Sequence, residues 1–551
     1  VFRLPPPGHA ARLALLAGLA GCTVGPNFER PSSLWNPLSW FGGHPAPPAK
    51  EKFSEAVAEP IDPQWWTLFN DAELSGLERR VAAANLDVRT ASIRLAESRA
   101  SFGVARADLF PSLDANANYT RQKLAKEGAL GLFPTTGGPT TASSQTGGTG
   151  AGGLPNTPQS GTPGSAANGL GGNGSPQNQA ALFRPFDLYQ YGFDASWELD
   201  LWGRVRRNVE SAEASVIASA ESERDTLLTA LAEMARDYVQ LRGVQHTIDI
   251  TQRNLQIARE SLRLTQERAA GGITTDLDVA NAAAQVETEA SQLPGLQAQA
   301  TQLINAIAFL LGQPPESMQA ELSAPHPIPP VPPKVPVGLP SELARRRPDI
   351  RRAEAELHNA TATVGVAVAD FYPRITLSGS VAMQATQFKF LGTWADANTW
   401  SFGPSLSLPI FEGGRLRRVL ELREQQQQEA AITYQRTVLN ALHEVDNALI
   451  AYDAEQRRRN RLQQAVAQNR RAVQLAQERY SQGVADFLSV LTAEQNLLNT
   501  DLQLTDSTTN VSTDLVQVYK ALGGGWENDL PAGNEMKGLP TIKDTVKGAI
   551  L

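Results

Sequence analysis

The chain has 551 residues, 41% hydrophobic but only 7% aromatic, with a formal net charge of −8. So few aromatics beside 19% charged residues favour long helices packed along narrow stripes over one thick core. The acidic balance excludes nucleic acid as an expected partner, since phosphate binding needs a basic surface.

At the start of the chain, Arg3 and Arg12 precede a short apolar run, Leu13 to Ala20. A basic region, a short apolar region and small residues read as a signal peptide over residues 1–21, too short to be a spanning helix. Leu19-Ala20-Gly21-Cys22 resembles the bacterial lipobox, which makes Cys22, the single cysteine, the expected acylation site. Thr23 after it points to delivery to the outer membrane. Residues 22–64 then form a lipidated N-terminal segment. No later segment is apolar and long enough for a transmembrane helix, so any membrane crossing is made of strands.

Strict alternation predicts a strand over residues 112–121, with Leu113, Ala115, Ala117 and Tyr119 opposed to Asp114, Asn116, Asn118 and Thr120. Residues 134–180, rich in Gly, Thr, Ser, Asn and Pro, read as a flexible loop. A second strand follows over 187–201, where Tyr189, Tyr191, Phe193, Ala195 and Trp197 alternate with small or polar residues. Strands over 374–387 and 398–411 repeat the pattern, for example Trp400, Phe402 and Leu406 against Ser401, Gly403 and Ser405. Period two with one polar face and a length of roughly ten residues suits a tilted membrane crossing. A chain offering only two hairpins has open edges, which hydrocarbon forbids. Other copies of the chain must complete them.

Helices are predicted over 204–270 and 276–311, then 415–482 and 486–522. Apolar residues recur at sevens, as in Ile248, Leu255, Leu262 and Ala269, which is coiled-coil spacing. Pro294 should kink its helix. At the two turns Gly272 and Gly483 can supply a left-handed helix stop, while Thr275 or Asp276, and Asp486, can cap the returning helices. Each tip carries an arginine, Arg268 or Arg479, beside an apolar residue, Ile273 or Val484.

The chain is built twice. A shift of 211 residues lays Gly203-Arg204 on Gly414-Arg415, Arg206-Arg207 on Arg417-Arg418 and Gly272 on Gly483, without a gap. Upstream, a shift of 262 lays Gly103-Val104-Ala105 on Gly365-Val366-Ala367 and Pro111 on Pro373. The repeats span residues 65–323 and 341–525, joined by a Pro-rich connector at 324–340 and followed by a tail at 526–551. Enzyme chemistry finds no footing: the six histidines are scattered without metal-ligand spacing, and the lone cysteine belongs to the signal. Gly148-Thr149-Gly150-Ala151-Gly152-Gly153 matches G-x-G-x-x-G but sits in the low-complexity loop with no helix after it. Neither a catalytic residue, a metal nor a cofactor is expected.

Cys22-Thr23-Val24-Gly25-Pro26-Asn27-Phe28, the stretch Gly338-Leu339-Pro340-Ser341-Glu342-Leu343 continuing to Arg347-Pro348-Asp349-Ile350, Ala369-Asp370-Phe371-Tyr372-Pro373 and both Arg…Gly tips carry a resemblance. The chain resembles the TolC-like outer membrane factors, in the NodT-type lipoprotein branch that partners resistance-nodulation-division (RND) pumps. The resemblance implies a membrane β-barrel plus a long α-helical coiled-coil barrel. A homotrimer with four strands per chain would close one twelve-stranded barrel, continued by a twelve-helix periplasmic tunnel. It implies the outer-membrane channel of a tripartite efflux system that exports small molecules such as drugs. The implied partners are a periplasmic adaptor (membrane fusion protein), an inner-membrane RND transporter and outer-membrane lipid. By the same resemblance Arg268, Gly271, Gly272, Ile273, Arg479, Tyr480, Gly483 and Val484 are adaptor-docking tip residues. The periplasmic gate falls near Asp486, Leu488, Ser489, Thr492 and Glu494. Ser489 and Thr492 stand where relatives often carry aspartate, so an acidic ring there is not supported and Asp486 or Glu494 would substitute. A type I protein-secretion duct and a lipid-anchored coiled-coil scaffold without a channel are the alternatives.

Overall fold

The structure is a computed structural model that describes residues 23–30, 55–57, 59–123, 185–337 and 346–527. The signal peptide, Cys22, the loop at 134–180, residues 338–345 and the tail beyond residue 527 lie outside the described residues. The chain forms two units. One comprises Val1–Ala107, Asp200–Pro373 and Leu408–Leu551, the other Asp108–Leu199 and Arg374–Ser407.

The first unit is helical. Its helices are α1 (Ala72–Ala84), α2 (Leu86–Ala107), α3 (Arg204–Ala270), α4 (Asp276–Leu310), α5 (Pro348–Ala369), α6 (Arg415–Ser481) and α7 (Phe487–Leu522). The outgoing helices α3 and α6 both have 67 residues, about 100 Å at about 1.5 Å per residue. Each returns through a short turn, α3 into α4 and α6 into α7, and the arms of each hairpin pack together. α4 stays helical from Asp276 to Leu310 through Pro294. A two-stranded parallel sheet, β1 (Glu55–Val57) with β4 (Lys334–Pro336), belongs to this unit.

One buried cluster holds the unit together where Leu227, Leu231, Met234, Tyr238 and Leu241 of α3 meet Trp65, Trp66, Leu74, Leu77, Ile304, Leu515 and Tyr519. Trp65 stacks on Tyr519 at 5.4 Å. Burying each side chain of this size contributes about 1.5–3 kcal/mol, and the density here contrasts with the thin stripes elsewhere on the long helices. Arg242 is fully buried beside this cluster and donates to Glu73 at 2.6 Å, Gln245 at 2.7 Å and the Ala324 carbonyl at 2.8 Å. The residues after α4 are thereby tied to the middle of α3. Arg347, in the resemblance stretch, locks another junction. It donates to the Ala521 carbonyl, Glu444 and Asp349, each at 2.7 Å, joining the start of α5 to the end of α7 and to α6.

The second unit is one antiparallel sheet in the order β2 (Ser112–Gln122), β3 (Phe186–Leu199), β5 (Arg374–Ala385), β6 (Asn398–Ser407). Each repeat supplies one hairpin, and β3 joins β5 from Tyr189↔Ala385 to Leu199↔Ile375. β3 stops short of the expected residue 201, and the Asp200 carboxylate instead accepts the Arg206 N–H at 2.9 Å. β6 ends at Ser407 rather than residue 411, opposite Arg374, the first residue of its partner β5.

Candidate functional site

Two features of the structure bear on function, one in each unit. In the sheet, the register sorts the side chains of all four strands together. Partners across a ladder share a face. Leu113↔Ala195↔Gly379↔Phe402, Ala115↔Phe193↔Val381↔Trp400 and Trp197↔Leu377↔Pro404 therefore lie on one face. Asp114↔Asp194↔Ser380↔Ser401 and Ser112↔Ser196↔Ser378↔Gly403 lie on the other. Apart from the buried Met383, much of the apolar face is uncovered within one chain, with Trp400 76% and Phe402 72% exposed. The polar face bonds laterally: Asn116 donates to the Asp194 carboxylate, and the Ser380 and Ser401 hydroxyls lie 2.8 Å apart. β2 and β6 are the two edges, and neither has a second partner strand among the described residues.

In the helical unit, the hairpin tips are two versions of one turn. Gly272 and Gly483 take positive φ, 72° and 73°, conformations that carry little strain only without a Cβ. The Ile273 N–H reaches the Arg268 carbonyl and the Val484 N–H the Arg479 carbonyl, both at 2.9 Å, so each helix closes with the same long-range cap bond. Thr275 and Asp278 form a reciprocal capping box on α4, while Asp486 caps α7 through the Ser489 N–H at 3.0 Å.

The tips also touch each other. The Arg268 guanidinium lies 4.3 Å over the Tyr480 ring and donates to the Tyr480 carbonyl at 3.0 Å. Tyr480 is buried with Ala282, Phe487 and Val490. Arg268 and Tyr480 are thus engaged with one another, whereas Arg479, Gly271, Ile273 and Val484 are exposed. Nothing in the sequence signals this link, because the alignment of the repeats sets Arg268 against Arg479 and Tyr480 against Ala269.

The expected gate residues separate into two groups. Asp486 is spent on its cap, and the Ser489 hydrogen bonds hold its carboxyl below the usual range. Leu488, Ser489 and Thr492 are exposed, with the Thr492 hydroxyl returned to the Leu488 carbonyl at 2.8 Å. Glu494 is half-buried and faces both α6 and α3, accepting from Gln477 at 3.0 Å and Ser261 at 3.4 Å. Burial pushes its carboxyl up. Burial likewise raises Glu289 on α4, which Gln285 holds at 2.7 Å; Gln285 in turn accepts from Gln495 of α7 at 2.9 Å.

Residues 23–30, which follow Cys22, lie as a strap across α3 and α5. The Val24 N–H reaches the Trp202 carbonyl at 3.1 Å, Asn27 accepts from Arg207 at 2.6 Å, and Arg30 pairs with Glu354 at 2.5 Å. Phe28 stacks on His358 at 4.4 Å. The strap joins repeat one to repeat two, a role that the lipobox reading did not give these residues.

A sheet apolar on one face, interleaved in sequence with two helical hairpins of such length, is the subunit plan of an outer-membrane channel. The family model described as outer membrane efflux protein matches residues 168–313 and 339–524. The outer membrane protein OprJ of Pseudomonas aeruginosa is 30% identical over 529 residues, 96% of this chain and 97% of that protein. The solvent efflux pump outer membrane protein SrpC of Pseudomonas putida is 29% identical over 513 residues, 92% of this chain and 96% of that protein. The solved structure of the outer-membrane channel OprN superposes with a TM-score of 0.75 at 31% identity, over 92% of this chain and all of that one. The chain belongs to the outer membrane efflux protein family. It is an outer-membrane efflux channel protein that extends into the periplasm.

Proposed function

We propose that three copies of the chain close one twelve-stranded barrel and continue it as a twelve-helix periplasmic tunnel, the exit duct of a tripartite efflux system for small molecules. The single observation that carries this is the two-faced sheet with free edges on β2 and β6. An exposed apolar face matches hydrocarbon, and unpaired edge N–H and C=O groups are intolerable there unless other copies pair with them. The opposite face, lined by Asp114, Asn116, Asp194, Ser380 and Ser401, suits a wet lumen. Cys22 carries the acyl anchor, and the lipid anchor favours efflux of drug-like or solvent-like molecules over protein secretion. Arg479, Ile273, Val484 and the Gly271-Gly272 and Gly483 turns form the surface for a periplasmic adaptor, which couples the duct to an inner-membrane RND transporter. The Arg268–Tyr480 link and the Glu494 contacts hold the mouth closed, and the adaptor opens it by binding the open arrangement better. The test is reconstitution of the purified acylated protein in planar bilayers beside a native mass measurement. Discrete conductance from a trimer is expected; a monomer that conducts nothing sinks the reading.

The closed mouth should respond to pH. Glu494 and Glu289 have raised folded-state values. Their contribution to the closed packing is therefore fully present below the ordinary carboxylate value and is lost as pH rises through the raised ones. Conductance is expected to fall as pH drops from neutral toward about 5. The double variant E494Q/E289Q should flatten that dependence, and an unaltered pH profile in it would remove these carboxyls from the gate.

A further inference from the structure

The apolar face of the sheet ends abruptly. Its last two rows are Ala117↔Tyr191↔Met383↔Asn398 and Tyr119↔Tyr189↔Ala385. The next row is charged: Arg121 pairs with Asp187 at 3.8 Å, and the Tyr119 hydroxyl donates to the same carboxylate at 2.9 Å. From Leu377 to Ala385 the strand advances about 27 Å, which at a tilt of about 40° stands about 20 Å tall, near the roughly 25 Å apolar band of a membrane barrel. The chain passes to and from its helices at the other end of the sheet, beside Ser112, Leu199, Arg374 and Ser407. The Tyr119–Tyr189 row is therefore the outer border of the apolar band.

The connection from β5 to β6 folds against that border. It turns through Phe388–Phe390 and Trp394–Ala397. The Leu391 N–H closes on the Phe388 carbonyl, the Thr393 N–H on the Phe390 carbonyl and the Ala397 N–H on the Thr393 carbonyl, each at 3.1 Å. Phe388 meets the Tyr189 ring edge to face at 5.7 Å, and Tyr189 packs on Tyr119 at 4.9 Å. The Tyr191 hydroxyl donates to the Leu391 carbonyl at 3.5 Å, and the turn at Trp394–Ala397 packs against β5. Ala397 and Met383 are buried, whereas Phe388, Phe390 and Trp394 stay exposed. The Lys389 ammonium lies 4.7 Å from the Phe390 ring centre.

Three exposed rings on a connection fixed by its own backbone bonds are costly in water. At a lipid–water border, rings and a long cation are both satisfied, since apolar bodies face acyl chains and polar tips face water. We propose that the β5–β6 connection is a ledge that beds Phe388, Phe390 and Trp394 in the polar border of the outer lipid leaflet, beside the barrel wall. The proposal rests on the channel reading and adds a lipid contact outside the strands.

Single nitroxide labels test it. Cys22 is the single native cysteine and is taken by acylation, so Phe388→Cys, Trp394→Cys, Trp400→Cys and Ser401→Cys can each be labelled alone in the full acylated protein. In phosphatidylcholine bilayers the Trp400 label should meet oxygen but not a nickel chelate, and the Ser401 label should meet nickel freely. Labels at Phe388 and Trp394 should collide with nickel several-fold less than the Ser401 label and more than the Trp400 label. As a label-free measurement, phosphatidylcholine brominated close to its headgroup should quench wild-type tryptophan emission more than that of Trp394→Phe. Nickel collision at Phe388 and Trp394 equal to that at Ser401, or equal quenching of the two proteins, overturns the ledge and leaves the channel reading standing. A Trp400 label as open to nickel as the Ser401 label overturns the channel reading itself.

Discussion

Trp400→Lys together with Phe402→Lys is expected to abolish the heat-modifiable oligomer, leaving protein held in the outer-membrane fraction by its Cys22 acyl chain alone. Both residues lie on the apolar face of β6, an edge strand, and both are uncovered within one chain. A lysine facing lipid costs about 2–4 kcal/mol near the bilayer midplane and about 0–1 near its borders. In a trimer each change occurs in every subunit. A loss of at least about 2 kcal/mol corresponds to roughly a thirtyfold shift in assembly. Ser401→Lys between them is the control, since Ser401 shares the polar face with Ser380. Heat-modifiable oligomer in the membrane fraction is the readout. Equal loss in the control, or none in the pair, would mean that the face assignment is reversed or that the sheet meets no lipid.

The second large effect lies at the tips, where two arginines one repeat apart should act differently. Arg268→Ala removes a cation–π contact and a charge-assisted hydrogen bond to Tyr480, interactions worth on the order of 2–4 kcal/mol together. That loss should raise the open fraction of single channels by tenfold or more without any partner. Arg479→Glu alters an exposed residue. It should leave conductance unchanged while weakening adaptor capture in pull-down and lowering drug resistance in cells. If Arg479→Glu changed the pore, or Arg268→Ala changed only adaptor capture, the division of roles would be wrong.

The long elements were legible because their signals are periodic and repeated. Trp400-x-Phe402 and Tyr191-x-Phe193 alternate as strands must, and the matched Gly203 and Gly414, Gly272 and Gly483 mark the same helix starts and stops in both copies. The register in the structure then adds what no single strand carries, that all four apolar faces lie on one side. The Arg268–Tyr480 contact was not legible, because it breaks the equivalence of the repeats on which the alignment depends. The strap at residues 23–30 was hidden for a different reason. Its partners Arg207, Glu354 and His358 are distant in sequence, and an extended octapeptide has no period to reveal a docking partner. The residues expected at the gate show a third limit. Asp486 and Glu494 are both acids in sequence, but one is consumed by a helix cap and the other by burial against Gln477 and Ser261.

The equal span of the two outgoing helices, 67 residues each, acts as a gauge. Excising one heptad from each arm of a single hairpin would retract its end by about 10 Å, farther than the Arg268 side chain can reach to regain Tyr480. Length changes in this architecture are therefore tolerable only in matched sets across both halves of the gene product. Drift in the reach of such a duct must proceed by paired insertions or deletions.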